Sequence, residues 1–349
     1  MNKTKYWLYL IGGMTLLLGL GLCCGPQVYP ITDTQIVNRY FNFDYYTEGK
    51  SVTYSEIWLI KDYYSIKGRA SHLFLNNDNL TDLPPEIGRL SHLESLHING
   101  NLTDLPPEIG RLSYLESLDL TGNNLSDLPP EFDQLHNLTT LSLYGNQLAN
   151  IPAELFRLPN LQSLNLRANN LTGFPVEISG MHNLRILNLD KNNFLSLPSE
   201  IGQLRSLESL DLSDNQLTNL PPEISQLSNL EWLQLRRNQL TSLPPEIGQL
   251  SNLRCLNLSD NQLTNLPPEI GQLSNLRCLG LSGNQLANLP PEIGQLTSLE
   301  AIHLDGNPLT SLPPEIGRLT QLRTLNLENT PLTALPPELE QLPDLRIYR

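Results

Sequence analysis

His97, Asp119 and Ser142 recur at intervals of 22 and 23 residues, types and spacing that invite a search for nucleophilic catalysis. On neighbouring parallel strands about 4.8 Å apart, the three side chains would form a row. A serine relay needs the histidine between serine and aspartate, because one ring nitrogen takes the hydroxyl proton while the carboxylate holds the other. Here Asp119 is central, so the order is wrong for a relay, and a polar, solvated lining is the expected role. His303 and Asp305 share one face of a strand without a third metal ligand. Of the four cysteines, Cys23 and Cys24 end an apolar run, while Cys255 and Cys278 lie one repeat apart. A strand spacing of about 4.8 Å would allow that second pair a disulfide by distance, although parallel, in-register side chains orient poorly for one. Neither a C-x-x-C pair nor a disulfide framework is present. The expectation is a protein that is not an enzyme, with no cofactor, no metal and no small-molecule substrate.

These residues are positioned by a repeat. The motif LPPEIGxL, or a close variant, is anchored at Leu83, Leu105, Leu128, Ile151, Phe174, Leu197, Leu220, Leu243, Leu266, Leu289, Leu312 and Leu335. Every step is 23 residues except the first, which is 22. Twelve repeats therefore run over 70–344, and one long array replaces the two or three domains that length alone suggests. The unit Leu207 to Asn229, LESLDLSDNQLTNLPPEISQLSN, resembles the 23-residue leucine-rich repeat of plant and animal Ras-associated scaffolds and of many bacterial relatives. The resemblance implies an α/β solenoid, or horseshoe, with parallel strands on its concave face and short helical or 3₁₀ turns on its convex face. It is nearly silent on function, because that fold presents many surfaces.

The unit explains its own folding. In Leu207-Glu208-Ser209-Leu210-Asp211-Leu212, leucines alternate inward and Ser209, Asp211 and then Ser213 face outward, as in a short strand. An asparagine follows at the bend in ten repeats: Asn101, Asn123, Asn146, Asn169, Asn192, Asn215, Asn238, Asn261, Asn284 and Asn307. Its amide carries donors and an acceptor for the bare backbone groups of neighbouring turns. The column departs from asparagine at its ends, with Asp78 and Thr330. The segment Leu220-Pro221-Pro222-Glu223-Ile224 favours a short turn, since proline suits a helix start and glutamate its first turn.

Net charge is −14, from 36 acidic and 22 basic residues. Twelve of the acids, from Glu86 to Glu338, occupy one motif position, and without them the balance is 24 to 22. The acidity belongs to the scaffold, and the missing basic stripe excludes nucleic acid. At the other extreme, Lys3 and Lys5 precede the uncharged stretch Tyr6 to Cys24, about 28 Å long as a helix. Residues 1–26 are expected to be a signal anchor or a signal peptide, which puts the membrane among the partners. Leu20-Gly21-Leu22-Cys23 also resembles a bacterial lipobox, with a bulky Leu22 where that motif is small. The repeats would then be extracytoplasmic, membrane-anchored or secreted; the alternative is cytoplasmic. Residues 27–69, with six of the twelve tyrosines between Tyr40 and Tyr64, are expected to cap the first repeat, or to form a ligand module. The tail 345–349 is too short for a proper second cap.

In a regular array, the informative outward residues are those that break the pattern. The column containing Ser209 is small and polar as far as Ile186, then holds Trp232, Cys255 and Cys278. Arg236, Arg237, Arg254 and Arg277 gather near Trp232, and Tyr144, Arg167 and Lys191 form a second group. Aromatic and arginine side chains are the types enriched in binding hot spots. The competing role for the arginines is to offset neighbours such as Glu208 and Glu231. Expected, then, is a non-catalytic scaffold holding another protein on its concave face. The alternatives are an adhesin for envelope or host molecules, and an intracellular signalling scaffold. Asn-Leu-Thr/Ser triplets such as Asn124-Leu125-Ser126 arise from the repeat consensus and carry little weight as glycosylation sites.

Overall fold

The computed structural model describes residues 72–76, 79–342 and 344–349. The proposed anchor, the Tyr-rich segment and Asp78 lie outside them.

Thirteen strands form one parallel sheet, each pairing with the next in chain order. They are β1 (His72–Asn76), β2 (Ser95–Asn99), β3 (Ser117–Asp119), β4 (Thr140–Ser142), β5 (Ser163–Asn165), β6 (Ile186–Asn188) and β7 (Ser209–Asp211), followed by β8 (Trp232–Gln234), β9 (Cys255–Asn257), β10 (Cys278–Gly280), β11 (Ala301–His303), β12 (Thr324–Asn326) and β13 (Arg346–Tyr348). Strands this short carry one central core leucine or isoleucine each, from Leu118 in β3 to Leu325 in β12, all fully buried. Twelve 3₁₀ turns of five residues, from Pro85–Arg89 to Pro337–Gln341, form the opposite side. In each Leu-Pro-Pro-Glu-Ile unit the first proline is the extended N-cap and the second opens the turn, as at Pro221 and Pro222. The isoleucine then drops into the core, and its carbonyl accepts the N–H that closes the turn, as Ile224 does from Leu227 at 3.2 Å.

Where glycine holds the fourth position of a turn, the next turn stacks too closely for a side chain. A Cβ at Gly248 would sit 2.4 Å from the carbonyl oxygen of Glu269 in the next repeat. The strand-side bend has its own requirement: the residue before each bend asparagine is left-handed, from Gly122 (φ 71°) through Gly306 (φ 67°). Ala168, Lys191 and Arg237 occupy this column at φ 51°, 56° and 53°, where a Cβ is strained.

The asparagines behind those bends tie the repeats together. Asn215 accepts from Phe194 N at 3.1 Å, and donates to Leu212 O in its own repeat and to Leu189 O in the previous one, at 3.1 and 3.0 Å. The same three bonds recur at Asn123 and at Asn307, the two ends of the row. At the C-terminal end Thr330 reaches only Leu327 O, at 2.8 Å.

Two expectations change. Asn101 stands outside the ladder: it is exposed, its N–H donates to Leu80 O and its side chain accepts from Asn124 Nδ2 at 3.1 Å. The reason is where the short first step falls. Ser95 pairs with Ser117, 22 residues on, whereas Asn101 matches Asn124, 23 residues on, so the missing residue is the one that would have been the ladder asparagine. The tail also does more than its length suggests: Arg346, Ile347 and Tyr348 pair in register with β12.

Candidate binding face

The outward residues of the strands form registered columns. His97, Asp119 and Ser142 are adjacent, with His97 Nδ1 2.8 Å from Asp119 Oδ2. Burial pushes the Asp119 carboxyl up, but the His97 hydrogen bond and charge, with two bonds from Thr121, carry it below the ordinary carboxylate range. Ser142 Oγ lies 2.9 Å from Thr121 Oγ1. Aspartate is therefore between the other two, as the sequence order requires, and serine has no histidine to activate it. Among the described residues no cluster of histidine, cysteine and carboxylate side chains could hold a metal ion.

The second arginine group is engaged internally. Arg167 lies over the Tyr144 ring, 5.6 Å from its centroid, and its Nε is 3.1 Å from Asp190 Oδ2. Burial, and then the charge of Asp211, raise the Asp190 carboxyl to about 7, while Arg167 opposes the shift. Asp190 Oδ1 is buried with no hydrogen-bond partner, which is the cost that a neutral carboxyl reduces.

Around Trp232 the arginines are paired with acids one repeat away. Arg236 contacts Asp260 at 2.9 Å, Arg237 lies between Asp214 and Asp260, Arg254 meets Glu231 at 3.4 Å, and Arg277 meets Glu300 at 3.7 Å. They offset their acidic neighbours, yet their side chains remain 43, 55, 47 and 63 % exposed, enough to meet a partner. Arg236 and Arg237 lie in the bend after β8 rather than on the strand. Ile186 and Trp232 are half-buried on either side of the buried Ser209. Cys255 and Cys278 pair in register, but Cys255 is only 6 % exposed and belongs to the floor of the face. His303 is likewise buried.

A further row was missed in the sequence. Asn137, Asn160, Asn183, Asn229, Asn252 and Asn275 precede their strands by three residues, and each donates to a backbone carbonyl of the previous repeat at 2.7–2.8 Å. Its signal was the Asn-Leu pair before strands β4, β5, β6, β8, β9 and β10. Ser206 interrupts the row, and at this interruption a cleft of about 420 Å³ opens.

A single parallel sheet backed by 3₁₀ turns and stitched by two asparagine rows defines a repeat solenoid. The chain belongs to the leucine-rich repeat family: the model described as "Leucine-rich repeat region" matches residues 85–190, 174–239 and 223–306, and "Leucine Rich Repeat" matches 298–319 and 321–342. Among solved structures it is similar to a leucine-rich repeat protein of Leptospira interrogans, at 38 % identity and TM-score 0.64, covering 79 % of this chain and 83 % of that one. It also resembles the plant peptide hormone receptor RGFR1 in complex with RGF2, at 30 % identity and TM-score 0.64, over 79 % of this chain and 50 % of the receptor's. The chain thus spans half of that receptor's length. The Toll–Spatzle complex of Drosophila matches at 26 % identity and TM-score 0.69, over 79 % of this chain and 40 % of that one. No curated protein matches the chain.

Proposed function

We propose that this protein is a non-catalytic scaffold that holds a partner protein on its strand face, centred on Trp232. The observation that carries the reading is the half-buried Trp232 in a column of mostly small or polar residues, with part-exposed arginines on its own and the next repeats. An aromatic anchor with arginines at its margin is the composition of a hot spot. Structural relatives support a protein ligand, since the plant receptor and Toll were solved as complexes. The remaining candidate contacts are Ile186, Arg236, Arg237, Arg254, Arg277 and Cys278.

The site is extracytoplasmic in this reading. Its support is the uncharged stretch Tyr6 to Cys24 and the likeness to the ectodomain of a plant membrane receptor kinase. No helix among the described residues is long and apolar enough to cross a membrane, and the stretch itself lies outside them.

The test is capture by the full chain from its native extract, followed by affinity measurement with Trp232→Ala combined with Arg236→Glu. A loss of tenfold or more is expected. Unchanged affinity for every captured protein excludes the patch.

A further inference from the structure

Ser206 is the one break in an otherwise continuous run of the second asparagine row from repeat four to repeat ten. Its neighbours Asn183 and Asn229 each close over a backbone carbonyl one repeat back, Pro159 O at 2.7 Å and Arg205 O at 2.8 Å. The equivalent acceptor for residue 206 is the carbonyl of His182, and serine carries no amide to send to it. The side chain that would fill this place is absent, and the cleft of about 420 Å³ stands there.

Its lining has a definite chemistry. Asn160, Asn183 and Asn229 stand along it, with Gln162, Arg185 and Glu208 beside the strands. Arg185 and Glu208 are ion-paired, Nε to Oε1 at 2.9 Å, so the charges of the cleft cancel. A charged ligand would have to break that pair. The amides, guanidinium and carboxylate are planar groups that present donors and acceptors side by side, which vicinal hydroxyls can bridge two at a time. An apolar drug-like molecule has no matching wall here, because such sites are lined mainly by hydrophobic side chains. Trp232 lies on the neighbouring strand, its backbone N–H donating to the Glu208 carbonyl at 3.0 Å and its Cα in register with Ser209, and its ring is not among the groups that line the cleft.

We infer that this cleft is a binding site for a neutral oligosaccharide, its hydroxyls held by the Asn183–Asn229 edge and the Arg185–Glu208 pair. The site is distinct from a protein contact: it is built by the gap at Ser206, whereas the protein patch extends from Trp232 toward the arginines of the following repeats. Substitution at residue 206 therefore separates the two.

The experiment is calorimetric titration of the full chain with chitohexaose, cellohexaose and mannohexaose, one at a time. Saturable binding of at least one is expected. Ser206→Asn, which supplies the side chain that the adjoining repeats already carry, should weaken it more than tenfold. Ser298→Asn, in the same column four repeats further on, should leave it unchanged, and a thermal melt of each variant confirms folding. No binding of any of the three at millimolar concentration overturns the inference, as does binding that survives Ser206→Asn. Binding of an uncharged hexapeptide that Ser206→Asn abolishes, with no saccharide bound, overturns it in favour of a peptide site. Loss of saccharide binding with protein capture intact leaves the protein-binding reading standing, and the converse result leaves the cleft standing.

Discussion

The side-chain amide of Asn215 donates to the carbonyl of Leu189, 26 residues earlier and one repeat back, at 3.0 Å. The same side chain satisfies Leu212 O and Phe194 N, so three backbone groups on two repeats depend on one residue. Asn215→Ala leaves all three without that partner. At roughly 1–3 kcal/mol for each buried unsatisfied group, a loss of about 3 kcal/mol or more is expected in urea unfolding. Asn101→Ala, at an exposed position, should cost under about 0.5 kcal/mol. Equal effects at the two sites would remove the ladder as an explanation of stacking.

The left-handed bend offers a change of opposite sign. Ala168 has φ 51°, and such a conformation costs an L-residue about 1–2 kcal/mol. Ala168→Gly removes that strain while adding unfolded-state entropy, so the melting temperature should rise by the equivalent of roughly 0.5–1 kcal/mol. Gly145→Ala, at φ 68° with no atom closer than 3.7 Å to the new methyl, should fall by about 1 kcal/mol through strain alone.

On the turn side, steric contact decides instead. Gly248→Ala drives a methyl to 2.4 Å from Glu269 O and should destabilise by about 1–3 kcal/mol. At Gly173 nothing lies within 4 Å of an added methyl, and φ is not left-handed, so Gly173→Ala should be neutral or slightly stabilising. Thermal melts of the pair check both.

Stability should also fall as pH rises across one window. The Asp190 carboxyl ordinarily titrates at 3.8 and is raised to about 7 in the fold, chiefly by burial. Between these values the folded chain binds more protons than the unfolded chain, so its contribution is complete below about 3.8 and is lost as pH climbs through about 7. Asp190→Asn should flatten this part of the profile, read as urea midpoints from pH 4 to 8. An unchanged slope would show that Asp190 does not carry it.

Much of this was legible because repetition samples the same physics many times. The 23-residue period gave the parallel order, and the Leu-Pro-Pro-Glu-Ile run gave the 3₁₀ turns, since prolines and a glycine leave no room for a longer helix. The misplacement of Asn101 has a plain cause. A count of residues cannot say on which side of a bend a deletion falls; only the Leu80 and Asn124 bonds do. The second asparagine row passed as repeat consensus because its acceptors are backbone carbonyls 24 residues earlier, which have no side-chain signature. The candidate site was read less fully. Trp232 stood out by type, but burial of Cys255 and the pairing of every nearby arginine depend on neighbours one repeat away in space.

Hydrogen–deuterium exchange of the full chain, alone and saturated with a captured partner protein, tests the strand-face site most directly. Protection should concentrate in peptides covering β6 to β10, with the turns Pro222–Gln226 and Pro245–Gln249 exchanging as in the unbound chain. Protection confined to those turns, with β8 unaffected, would place the partner on the opposite side and contradict the proposed role of Trp232.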